Sequence, residues 1–198
     1  MLGALSRARA AIFSVALTYV LSVATGIGMA HAGNRFALSQ RDNLVSRAMQ
    51  KDPAAIAYQR GNRLGAALLD FGRNLFLGGV PQTVGGLAIV LPYPVAAYRG
   101  WVGGIVSVDR RHASRLARRR AAAYYFIVLL LQLVPYSLAG GAGVNLGLAY
   151  LRSRHEGGVE RWLGLPKEAL RDVLRIYLLV VPLFLIASLW EFLSPWNS

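Results

Sequence analysis

From Ala121 to Leu151 the chain runs through a single apolar stretch, the longest of several, and longer than a water-soluble core helix requires. A helix crossing a hydrocarbon layer about 30 Å thick needs roughly 20 such residues. Further apolar blocks run from Ala10 to Ala30, Leu75 to Leu91, Val95 to Val108 and Ile176 to Phe192. Charge is correspondingly scarce, at 16% of 198 residues, where a soluble domain carries about a quarter. This argues against a soluble globular enzyme. The net charge of +13 suits nucleic acid or an anionic membrane surface, and the apolar blocks decide for the membrane.

The expected fold class is therefore all-α, a multi-pass transmembrane helical bundle of about five membrane segments with interfacial helices, in one integral membrane domain over 1–198. The segments fall at about 10–31, 75–91, 94–108, 121–150 and 173–193, with a polar segment at 33–70. Ala30-His31-Ala32 has the small-x-small form of a signal cleavage site. The apolar stretch before it exceeds the roughly 7–15 residues of a signal core, so an uncleaved helix is favoured and cleavage is the alternative. Asp52-Pro53 reads as a helix start. Leu64, Leu68, Phe71 and Leu75 share one helical face, accompanied by Arg60, Arg63 and Arg73. That suits either a helix in the headgroup region or a solvated helix packed on the spans.

Gly78, Gly79, Gly85 and Gly86 around Pro81 predict a kinked second span. Tyr93, Tyr98 and Trp101 read as an interfacial aromatic belt. The block 94–108, interrupted by Arg99, is either a tilted crossing or a re-entrant segment. Arg110, Arg111, Arg115, Arg118, Arg119 and Arg120 form a positive-inside loop, attracted to anionic lipid by about 1 kcal/mol per basic residue. Ala139, Gly143 and Gly147 recur every fourth residue beside Gly140, a small-residue face on which another helix can pack closely. Gln132 and Asn145 are expected to join helices by hydrogen bonds. Pro166 is placed at the first turn of a last helix bent at Pro182, and His155-Glu156 in a solvated loop. Trp190, Phe192 and Trp196 form a terminal belt, with Glu191 at the interface.

Five alternating spans put 9 basic residues on the N-terminal side and 13 on the other, favouring an extracytoplasmic N-terminus. A cytoplasmic N-terminus together with a cytoplasmic arginine loop would forbid an ordinary crossing by 94–108. No catalytic constellation is visible. Cysteine is absent, the three histidines lie in three different loops, and there is no H-E-x-x-H, phosphate-binding loop or G-x-S-x-G elbow. No cofactor, metal, nucleic acid or small-molecule substrate is implied. No carboxylate is expected at mid-depth, which weighs against a coupled transporter.

The order of these features resembles the stage II sporulation protein M family of multispan bacterial membrane proteins. The resemblance rests on Phe71-Gly72-Arg73-Asn74, on Gly100 with Gly103-Gly104, on Leu138 to Gly143 with Gly147, and on Glu191-Phe192-Leu193-Ser194-Pro195. The family's Pro-His-Gly segment is missing, since Ile127 to Leu131 is wholly apolar, and Gln132 stands where the family often has glutamate. The resemblance implies a non-enzymatic scaffold of a cell-envelope complex in the bacterial plasma membrane. Its partners would be membrane lipids and other membrane proteins, a second copy of the chain included. The alternative is a permease-like subunit working with a separate ATPase.

Overall fold

The apolar runs fold as helices, and the described residues of this computed structural model, 1–154 and 159–196, hold little else. In chain order the helices are α1 (Leu2–His31), α2 (Arg35–Lys51), α3 (Pro53–Gln59), α4 (Arg63–Asn74), α5 (Val80–Gly85), α6 (Pro92–Ile105), α7 (Arg119–Ser153) and α8 (Lys167–Leu193). Asp52 caps α3, its Oδ1 accepting from the Ala54 amide at 3.0 Å. Strands β1 (Arg161–Trp162) and β2 (Leu165–Pro166) pair antiparallel across a left-handed turn at Leu163 and Gly164, a hairpin not expected from sequence. It puts Pro166 one residue before α8 rather than inside its first turn. His155 and Glu156 lie outside the described residues.

Three helices, α1, α7 and α8, are long and apolar enough to cross a membrane. The other two expected segments are shorter. Leu75–Ala88 and α6 have 14 residues each, which rise about 21 Å against roughly 30 Å of hydrocarbon. Glycine and proline set these limits. A π turn at Leu75–Gly79 joins α4 to α5 just before Pro81, and a 3-10 turn at Gly86–Ala88 ends the run. The chain then reverses at Ile89, whose φ of 62° is unusual for a β-branched residue, before Pro92 starts α6. α1 also begins eight residues earlier than the expected 10–31 segment. Its Arg7 is tolerated because Asp172 accepts from it twice, at 2.6 Å from both Nε and Nη2.

Side-chain contacts between the helices orient the bundle. Arg7 on Asp172 brings the starts of α1 and α8 together. His31 Nε2 lies 2.8 Å from Ser114 Oγ, so the end of α1 meets the arginine loop. Tyr124 donates to the Glu191 carbonyl at 2.7 Å, so the start of α7 lies at the end of α8. Ser14 and Tyr93 bond at 2.9 Å, which sets α6 beside α1 and running the same way. The N-terminus and the arginine loop are thus at opposite ends. Around that loop, α2 and α3 close one end of the bundle, with Phe36 stacked on Trp101 and Tyr58 edge-on to Phe192. Tyr93, Tyr98 and Trp101 do not form a belt, because they are spread along α6 over eight residues, about 12 Å.

The polarity is inverted relative to a soluble protein. Phe13, Leu21, Phe76, Leu77, Leu130 and Leu178 are exposed, whereas Asp70, Asn74, Gln82, Thr83, Asp172 and Ser188 are buried. On α4 the leucine face turns outward at Leu64 and Leu68, and the opposite stripe of Ala66, Ala67, Asp70 and Asn74 turns in. That arrangement suits hydrocarbon and would leave a large exposed apolar surface in water.

Glycines let the backbones meet. A Cβ on Gly143 would run into the Thr83 carbonyl, one on Gly147 would lie 2.5 Å from the Gly86 carbonyl, and one on Gly141 would lie 2.5 Å from Ile12 Cα. The same holds where Gly100 and Gly104 of α6 meet α1, with a Cβ on Gly26 only 2.5 Å from the Trp101 carbonyl. Gly143→Ala and Gly104→Ala should each cost about 1–3 kcal/mol through overpacking. Gly28→Ala and Gly72→Ala, with open space at the Cβ, should be neutral or stabilising by about 0.5–1 kcal/mol. Unfolding in detergent micelles, followed by circular dichroism, measures all four.

Candidate functional site

α6 has two working faces. Ala96, Gly100 and Gly104 pack on α1, while Val95, Tyr98, Arg99, Val102 and Val106 turn toward α7 across a cavity of about 880 Å³. α7 lines the facing wall with Tyr124, Tyr125, Val128, Leu129, Gln132 and Tyr136, one stripe at helical spacing. Tyr19 of α1 and Glu191 of α8 complete the walls, and Leu44 of α2 and Arg115 stand at the arginine end. Five tyrosines of this lining, at 19, 98, 124, 125 and 136, give an aromatic surface with polar tips, the form of a ligand pocket.

The deep end is charged. Arg99 lays its guanidinium 4.0 Å from the centroid of the Tyr136 ring, and Tyr136 is the middle residue of α7. Tyr136 Oη donates to Asn74 Oδ1 at 2.8 Å, and Asn74 Nδ2 donates to Asp70 Oδ2 at 2.8 Å. Asp70 Oδ2 also accepts from Ser188 at 2.7 Å, and its Oδ1 accepts from Arg73 Nη2 at 2.7 Å. Arg73 in turn pairs with Asp52. A polar chain therefore runs from the α3 cap into the bundle and ends on Arg99. A charge held inside a helical bundle is costly unless it is paired, so Arg99 marks a place where a partner is expected.

The residues singled out from sequence fall in three places. Ala139, Gly140, Gly143 and Gly147 are buried within the bundle, where Gly140 faces Gln82 and Gly143 faces Thr83. That face is filled by the chain's own helices and has no room for a helix from another protein. Gln132 joins α7 to α8, donating to Glu191 Oε2 at 3.2 Å. Asn145 is half-buried and, among the described residues, has no side-chain hydrogen bond, because its neighbours on α7 supply the packed face. Arg110, Arg111, Arg115, Arg118, Arg119 and Arg120 are exposed at the arginine end. There Arg110 reaches the Met49 sulfur and Arg120 donates to the Pro195 carbonyl at 2.8 Å.

Two carboxylates order that end. A hydrogen bond from Arg41, and a further one from His112, hold Asp42 below the usual carboxylate range. The Ala113 and Arg111 amides do the same for Asp109 and fix the turn that presents the arginines. Asp70 was not anticipated as a buried carboxylate, nor Arg99 as a deep cation. Glu191, expected at the interface, is half-buried and turned onto Gln132. The readable signal was the spacing of Asp70 and Asn74 on the small-residue stripe of α4, opposite its leucines.

Asp70→Ala strands Asn74 and Ser188, leaves Arg73 with Asp52 alone, and should cost about 3 kcal/mol. Ser188→Ala, which removes one donor, should cost about 1 kcal/mol. Detergent-micelle unfolding of the two variants checks the ratio. Comparison of the chain with models of protein families, with characterised proteins and with solved structures finds no match.

Proposed function

We propose that the chain is a non-enzymatic, multi-pass protein of the bacterial plasma membrane that serves as a scaffold in a cell-envelope complex, as the likeness to the stage II sporulation protein M family implies. The observation that carries this reading is the inverted polarity of a bundle held by glycine contacts. In the proposed topology α1, α4–α5, α6, α7 and α8 alternate in direction, with the arginine end in the cytoplasm and the N-terminus outside. The placement of these two features at opposite ends of α1 supports it, and removes the conflict between two cytoplasmic assignments. Because the glycine face of α7 is filled from within, partner contact falls to the exposed end of α2, from Ser46 to Lys51, on the arginine side.

A second reading, a permease-like subunit with a separate ATPase, is favoured by one observation, the cavity between α6 and α7 that Arg99 lines. ATP-dependent flux in vesicles with a co-purifying nucleotide-binding subunit would select it over the scaffold. For the scaffold, Arg47→Glu with Lys51→Glu should abolish recovery of an envelope partner in mild detergent while the bundle stays folded. Topology has its own test, since the chain has no cysteine. In intact cells an impermeant maleimide should label Leu2→Cys and Arg152→Cys but not Ser46→Cys or Ala113→Cys. Labelling of Ser46→Cys together with Arg152→Cys would contradict the alternation.

A further inference from the structure

Arg99 is the charge that the fold itself does not explain. Its guanidinium offers five N–H donors and no acceptor. Among the described residues it meets the Tyr136 ring but no carboxylate within ion-pair distance. Asp70, within the same polar chain, is two hydrogen bonds beyond Tyr136, and both its oxygens are already engaged. Glycine makes room for the Arg99 side chain itself on one side, and a cavity opens on another. A side chain at Gly78 would come within 2.9 Å of Arg99 Nη2, and the guanidinium lines a cavity of about 880 Å³, within the range of ligand pockets.

We propose that this cavity binds the singly charged phosphodiester head of an anionic amphiphile, with the head oxygens on Arg99 and the tail along Val95, Val102, Val128 and Leu129. A planar guanidinium engages two oxygens of a phosphate at once, which a ring face cannot replace. A single guanidinium matches a single negative charge, and Glu191, which Gln132 holds on the α8 wall, leaves the α6 side to the head. Arg115 at the arginine end draws anions toward the mouth. The wall between head and mouth is aromatic and aliphatic, which suits a lipid tail better than a free ion. This site requires the chain to be in the membrane and is independent of the scaffold role.

The test uses the full chain in nanodiscs of phosphatidylglycerol and phosphatidylcholine, transferred to detergent and analysed by native mass spectrometry. Wild type should retain one phosphatidylglycerol, with retention reduced about tenfold in Arg99→Gln. The variant with Arg118, Arg119 and Arg120 all changed to Gln should retain it like wild type. Should Arg99→Gln fail to fold, Arg99→Lys carries the test, with retention falling while its melting stays that of wild type. A parallel titration with inorganic phosphate separates the sources. Arg99-dependent thermal protection by phosphate, without lipid retention, would support the oxyanion site and assign it a soluble ligand. Equal lipid retention by wild type and Arg99→Gln, or no effect of either probe, would overturn the proposal.

Discussion

In hydrocarbon a helix gains nothing by hiding leucine from its surroundings, so the bundle has to be held by what lipid cannot supply: close backbone approach and satisfied polar groups. Every major contact of this structure follows from that constraint. Gly143 and Gly147 admit the turn after α5, Gly141 admits α1, and Gly100, Gly104 and Gly26 bring α1 against α6. Thr83 then spans the gap that glycine closes, donating to the Ala139 carbonyl at 2.8 Å. A glycine seam and a buried hydroxyl do together what a leucine core does in water.

The same constraint explains where the charges went. Arg7 with Asp172 lies between α1 and α8 and links parts of the chain distant in sequence, while Arg73 pairs with Asp70 within α4 and reaches Asp52 at the start of α3. A lone charge in such a place would be costly, and a paired, hydrogen-bonded one fixes register. Arg99 departs from this pattern. It stands on an aromatic ring at the end of a polar chain and opens onto a cavity, so the bundle has a built interior rather than only a packed one.

The helical, membrane-type character of the fold was legible because length and apolar content suffice to read it, as in α7. What lay beyond reach was the use made of each segment. The block Leu75–Leu91 has the composition of a crossing, but Pro81, the π turn and Ile89 divide it, and a proline gives no sign of how far a helix will continue. The leucine face of α4 was visible, yet direction depends on the solvent: in lipid the leucines face out and Asp70 faces in. Gly143 and Gly147 were readable as a packing face, whereas the helix that fills it, the chain's own α5, is a tertiary fact. The Arg99 site joins α6, α7 and α4, three segments that no local pattern relates.

The central claim is that exposed leucine and phenylalanine side chains of this bundle face lipid. Spin labels at Phe13, Phe76, Leu130 and Leu178, introduced as single cysteines and reconstituted in liposomes, measure it directly by electron paramagnetic resonance. Lipid-facing side chains should show high collision rates with dissolved oxygen and low rates with a water-soluble nickel chelate at all four positions. High nickel accessibility there, with the protein staying monodisperse in buffer without detergent, would contradict it.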